Sequence, residues 1–341
     1  MKKIAAFIAI LLAAALGFGQ TPDTELDKYK SGIQNFADDL AIILPMNSTI
    51  GLNWNDAYIG QLIDIPPRFA IGVTTGFTTL PYGSIKTLLE DMGVEADDTV
   101  PSFIQSYGVP LPAAVIDARV GGFILPFDMG FKLGYFKMNG EDLNINYILV
   151  GGDVRYRVLE QRILIPKISV GVGYNYMSTR IKMADALGDD ISIGIPTEYA
   201  LLHPALGGIS TIDLSSPDLD LDMSTKVLDF KVQASWKALI FEPSLGFGLS
   251  YGMSSVSTQA ESKLQKNGTT DLDQTELAAL SALGFDVSDS SLGYSRNTSA
   301  FVPRFFCGLG FNLAVFRLDF GTMYGLTTRS WGATVNASFQ L

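Results

Sequence analysis

From Pro67 to its last residue the chain is built of segments in which apolar and polar positions alternate with a period of two. Phe69, Ile71, Val73 and Phe77 alternate with Arg68, Ala70, Gly72 and Gly76, and Met129, Phe131, Leu133 and Tyr135 with Asp128, Gly130, Lys132 and Gly134. Leu228, Phe230, Val232 and Trp236 oppose Asp229, Lys231, Gln233 and Lys237. The last twelve residues put Trp331, Val335, Phe339 and Leu341 on one face and Ser330, Thr334, Asn336 and Ser338 on the other. Successive side chains of a strand point to opposite sides of its sheet, so each segment predicts a strand with one apolar face. Asn144 and Asn146 fall out of phase with Asp153, Arg155 and Arg157, which predicts a bulge at Gly151-Gly152.

About ten such strands follow one another. Short connections are expected around Pro126, Glu160, Lys237–Ile240 and Ala314, long ones over 80–112, 183–224 and 258–297. Two long connections carry helical patterns, Ser84–Met92 and Leu272–Leu283. Ahead of the strands, Thr24–Leu44 has apolar residues at helical spacing up to Pro45. Leu44–Pro67 has neither period. Counting Met46–Asn53 as a strand would make the number odd, so residues 20–66 are read as a helix and a plug-like segment apart from the strands.

Composition changes the picture. Residues 1–19 have the charged start (Lys2, Lys3), apolar run and Gly17-Phe18-Gly19 close of a secretory signal peptide; the apolar run is short for a membrane anchor. No later run is long enough for a transmembrane helix, yet 47% of residues are hydrophobic and the mean hydropathy is +0.24. Only helices and closed barrels satisfy all backbone polar groups in lipid. The expected fold is therefore all-β, a closed antiparallel transmembrane barrel of about ten strands, with eight to fourteen compatible with the pattern. A soluble secreted β domain is the competing reading. The three long connections hold nineteen acidic against four basic residues, a net −15 against −11 for the chain, so acidity belongs to the loops. That balance excludes a nucleic-acid partner.

The inward face is rich in glycine (Gly72, Gly130, Gly173, Gly248 and Gly310 among others), which either relieves curvature or leaves room for an occupant. The chain's own segment, with Asn53, Trp54, Asn55 and Asp56, is the expected occupant, as a plug. Arg68, Arg119, Lys132, Arg155, Arg157, Arg304 and Arg317 share the face with carboxylates. They are candidate lumen residues, either closing ion pairs or clamping an anionic group of a solute with the guanidinium fork.

The terminal alternating strand with its aromatics resembles the closing strand of bacterial outer-membrane β-barrels. Helix, plug-like segment and aromatic barrel together resemble the long-chain fatty-acid transporter (FadL-like) type, and are similar to spirochaetal outer-membrane barrels. The segment Leu44-Pro45-Met46-Asn47-Ser48 stands where that type commonly carries an Asn-Pro-Ala signature. The resemblance implies an outer-membrane channel or transporter in which hydrophobic or amphipathic small molecules enter a plugged barrel and leave laterally. Its implied partners are outer-membrane lipid, the barrel-assembly machinery through the C-terminal strand, and a hydrophobic solute. The alternative is a non-transporting surface barrel whose acidic outer loops bind a partner or cation. His203, the sole histidine, has no nucleophile motif beside it, and Asp218–Asp222 lacks the Gly and distal Glu of a calcium loop. No enzyme activity, cofactor or metal is expected. The single Cys307 forms no intrachain disulfide.

Overall fold

The computed structural model describes residues 35, 38–62, 67–83, 86, 102–140, 143–163, 165–183, 191–194, 209, 211–214, 218–261, 264–267, 270–282 and 291–341. The expected signal peptide, the helix before residue 35, the Ser84–Met92 pattern apart from Lys86, and His203 lie outside them.

In chain order the strands are β1 (Phe69–Leu80), β2 (Val109–Gly121), β3 (Phe127–Asn139), β4 (Leu143–Leu159), β5 (Lys167–Met183), β6 (Ile191–Gly194) and β7 (Thr211–Leu214). They continue as β8 (Asp218–Ser235), β9 (Phe241–Glu261), β10 (Leu264–Lys266), β11 (Thr270–Asp271), β12 (Ser291–Leu313), β13 (Phe316–Gly325) and β14 (Trp331–Gln340). Ten of them close into an antiparallel barrel in which chain neighbours pair and β1 meets β14, from Ala70 opposite Gln340 to Thr78 opposite Gly332. The short turns lie at one end, here the lower, and the long connections at the upper. Strands β6, β7, β10 and β11, from two long connections, form a separate four-stranded sheet.

The outer surface follows the expected alternation. Val73, Phe131, Val172, Phe230, Phe247, Phe305 and Trp331 are exposed, while Gly130, Ser169, Lys231, Gly248 and Asn336 on the other phase are buried. The apolar belt runs about nine to eleven residues up each strand, the length a tilted strand needs to cross a bilayer. Above it the alternation inverts. On β8, Leu221 and Met223 face inward while Asp220 and Asp222 face out, paired with Lys182 and Arg180 at 2.7 Å each.

That inversion corrects three sequence expectations. Asn144 and Asn146 are in register with the rest of β4 and point outward above the belt; the ladders run evenly through Gly151 and Gly152, and the irregularity lies between Arg157 and Leu159. The long connections are shorter than 183–224 and 258–297, because β8, β9 and β12 rise well beyond the belt. Asp218–Asp222 is strand, not a loop.

Among the helices, α1 (residues 38–47) passes Pro45 and ends at Asn47, so the proline sits in the last turn rather than beyond it. Its ring fills the space left by Gly252, where a Cβ would lie 2.2 Å from the Pro45 Cγ. Helix α2 is Ser102–Tyr107 and α3 is Gln274–Ala282. The α3 start is a reciprocal cap: the Asp273 carboxylate accepts from the Thr275 and Glu276 N–H groups, and Glu276 accepts from the Asp273 N–H at 2.8 Å.

Candidate functional site: the occupied lumen

Residues 38–62 run through the barrel from top to bottom. Their contacts reach the wall at every height of the lumen. Near the top Asp38 pairs with Arg296 of β12 at 2.7 Å. Leu40, Ala41, Leu44 and Met46 then pack on upper-wall residues including Tyr147, Leu149, Met177, Met223, Val256 and Met323, all buried. At mid-height the Asn47 amide donates to the Thr78 hydroxyl and the Leu111 carbonyl. At the bottom the Leu62 N–H donates to the Gly122 carbonyl.

Below Asn47 there is no helix, so the segment's carbonyls need donors inside a closed wall. The wall supplies them, mostly as cations. The Lys132 ammonium donates to the Ser48 and Ile50 carbonyls at 2.6 and 2.7 Å, Lys231 to Leu52 at 2.9 Å, Arg155 to Asp56 at 2.5 Å and Lys167 to Tyr58 at 2.8 Å. The Gln233 amide reaches the Trp54 carbonyl at 2.6 Å. These five polar wall side chains hold carbonyls of residues 48–58, and Ser235 accepts from the Ala57 N–H at 3.0 Å.

The same cations close on carboxylates. Arg155 grips Asp128 with Nε and Nη2, both at 2.8 Å; Arg119 joins Asp128 at 2.5 Å to Asp153 at 2.7 Å; Lys231 reaches Asp153 at 2.6 Å. Arg304 takes Asp229 through both terminal nitrogens, at 2.7 and 2.9 Å, and Arg317 spans Asp319 and Glu242. A buried charge needs such a partner. The guanidinium forks of Arg119, Arg155, Arg304 and Arg317 are therefore engaged by the chain itself. Arg157 lies lower, paired with Glu160 and over the Tyr58 ring, 4.9 Å from its centroid. Arg68 lies below β1, its backbone linking Gln61 to Gly121.

The expected plug residues sit in this assembly. Trp54 donates to the Asp117 carboxylate at 2.9 Å, which also accepts from Thr74 of β1 and Asn336 of β14. Asn55 donates to the Phe320 carbonyl, accepts from Ser244, and lies over Gly308, where a Cβ would be 2.0 Å from its Oδ1. Asp56 pairs with Lys167 at 2.8 Å. Asn53 bonds within the segment, to the Thr49 carbonyl.

Sequence reasoning missed the apolar upper lumen. Its signal is the inversion itself, Leu219, Leu221 and Met223 against Asp218, Asp220 and Asp222. It also missed a discontinuity in the wall. The β2–β3 ladder holds six residue pairs, Ile116–Gly121 with Asp128–Leu133, whereas β1–β2 holds twelve and β3–β4 thirteen. Where it stops, Gly134 lies against the Ala114 carbonyl, which would be 2.5 Å from a Cβ there, so the even-numbered residues of β2 present their backbone groups to β3. The next even residues up are Pro112 and Pro110, which have no N–H to give. Above the break, Phe136 and Met138, on the inward phase of β3, are 50% and 37% exposed.

Residues 106–341 match the model of a protein family described as Lsa36-like, a stretch that takes in every barrel strand after β1. No curated protein matches the sequence significantly. Among solved structures, the translocator domain of the autotransporter NalP from Neisseria meningitidis is similar at 8% identity and TM-score 0.35, covering 91% of this chain and 98% of its own. The outer-membrane protease OmpT from Escherichia coli gives 8% and 0.39 over 81% and 97%. The CymD monoaromatic hydrocarbon channel gives 10% and 0.23 over 80% and 87%. At these TM-scores the likenesses carry no argument about activity.

Proposed function

The chain belongs to the Lsa36-like family, and from the geometry of its lumen we propose that it is an outer-membrane barrel passing hydrophobic or amphipathic small molecules, fatty-acid-like in character, between an apolar upper chamber and the bilayer. The reading rests on one observation: the break between β2 and β3 stands beside the part of the lumen lined by Leu111, Val115, Tyr147 and Leu149. An aqueous pore has no use for an apolar lining. An amphipathic molecule with its chain in the break and its head at the membrane surface meets apolar side chains on both sides. Helix α1 holds the chamber in the closed form, and the ion-paired lower lumen below it blocks a direct aqueous path. Outer-membrane placement is supported by the apolar belt and by short turns at one end with long connections at the other. No catalytic role forms part of this reading.

The test is chemical. Protein purified in detergent should carry acyl lipid detectable by mass spectrometry, and deletion of residues 44–67 should change lipid release or uptake. A barrel free of lipid, with uptake unchanged by the deletion, defeats the proposal. The non-transporting surface barrel remains a second reading, favoured by the completeness of the lower network, in which Arg119, Arg155, Arg304 and Arg317 all have carboxylate partners. It predicts that trimming the acidic upper connections abolishes partner or cation binding while the barrel stays folded.

A further inference from the structure

The direction of the inner segment carries a consequence of its own. Along the sequence its contacts fall steadily down the wall: Asp38 with Arg296, Met46 with Ser330 in the upper β13–β14 turn, Lys132 with Ser48, Trp54 with Asp117, Asp56 with Lys167, Leu62 with Gly122 in the lower β2–β3 turn. The chain therefore enters the lumen at the end that carries the long connections and leaves it at the end where β1 begins. Asn35, one helical turn before Asp38, is exposed at that upper end.

We propose that the inner segment is threaded from outside to inside, so that Asn35 faces the cell exterior at the outer mouth of the barrel. The start of α1 then stands at the outer surface instead of in the periplasm. Two features hold this direction. Among the described residues the large apolar collar is at the top, where it receives Leu40, Ala41 and Leu44, and the carbonyl-binding cations Lys132, Lys231, Arg155 and Lys167 descend in the order of the carbonyls they take. Reversal would put α1 among buried charges and the polar run Asn53–Asp56 against the apolar collar, leaving groups of both kinds without partners.

The inference rests on the outer-membrane orientation proposed above, and its test separates the two. In the full chain with Cys307→Ser, single variants Asn35→Cys, Thr327→Cys in the exposed upper β13–β14 turn and Arg162→Cys in the exposed lower β4–β5 turn are treated on intact cells and on lysed cells with a membrane-impermeant maleimide. The expected result is labelling of Asn35→Cys and Thr327→Cys on intact cells, to similar extents, and of Arg162→Cys only after lysis. Thr327→Cys labelled on intact cells while Asn35→Cys stays dark there overturns the threading alone. Arg162→Cys labelled and Thr327→Cys dark on intact cells overturns the orientation and the threading with it.

Discussion

Asp56 sits on the inner segment, fully enclosed, with the Lys167 ammonium 2.8 Å away. Its carboxylate also accepts from the Tyr58 N–H at 3.0 Å. Asp56→Asn takes the charge partner away from Lys167 and should lower the urea midpoint of the detergent-solubilised protein. Asp128 offers a sharper contrast of magnitudes. It is shared by Arg119 and Arg155, both fully buried, so Asp128→Asn should cost about 3–5 kcal/mol by leaving buried charge short of a partner. Asp222→Asn, which breaks the exposed pair with Arg180, should cost about 0–1 kcal/mol in the same assay.

At the scale of elements, the strands were legible because lipid imposes a simple demand on one face. Phe131, Phe230 and Phe247 alternate with Lys132, Lys231 and Gly248 for the whole width of the membrane, and no local propensity competes. Arg119, Arg155, Arg304 and Arg317 were legible as inward residues for the same reason, but their partners were not, since a pairing such as Arg304 with Asp229 depends on the register of three strands. The height of β8, β9 and β12 was hidden by the inversion above the belt, where polar outward residues look like loop. Segment 48–58 has no period because wall cations, not a ladder, satisfy its carbonyls. The break between β2 and β3 lay in plain view as Pro110 and Pro112, two residues apart; only the side that they face needed the fold. It yields a direct expectation. Pro110→Ala with Pro112→Ala restores two donors toward β3, so backbone amides over 134–139 should exchange several-fold more slowly by hydrogen–deuterium mass spectrometry. Unchanged exchange there would mean that something other than the missing donors holds the strands apart.

For the whole molecule, the lumen is closed twice, by apolar packing above and by an ion-paired network below. In planar bilayers the intact protein should show no large stable conductance, and a variant lacking residues 38–59 should show one if its barrel remains closed at β1–β14. Large conductance from the intact chain would mean an open pore instead of a closed lumen. The unequal walls give the mouth a tilt in chemistry as well as in height: the tall side of β8, β9 and β12 carries Ser254, Ser255, Ser257 and Ser299, while the low side near β14 ends at the aromatic Trp331.

The node at Asp117 joins three parts of the molecule that lie far apart in the sequence. Trp54 belongs to the inner segment, Thr74 to β1 and Asn336 to β14, and all three donate to one carboxylate of β2. Thr74 and Asn336 also face each other across the β1–β14 seam, so the seam of the wall and the segment inside it hang on the same group. Asn336→Leu should therefore loosen both together, read as faster hydrogen–deuterium exchange of the backbone amides of β1 and of residues 53–56.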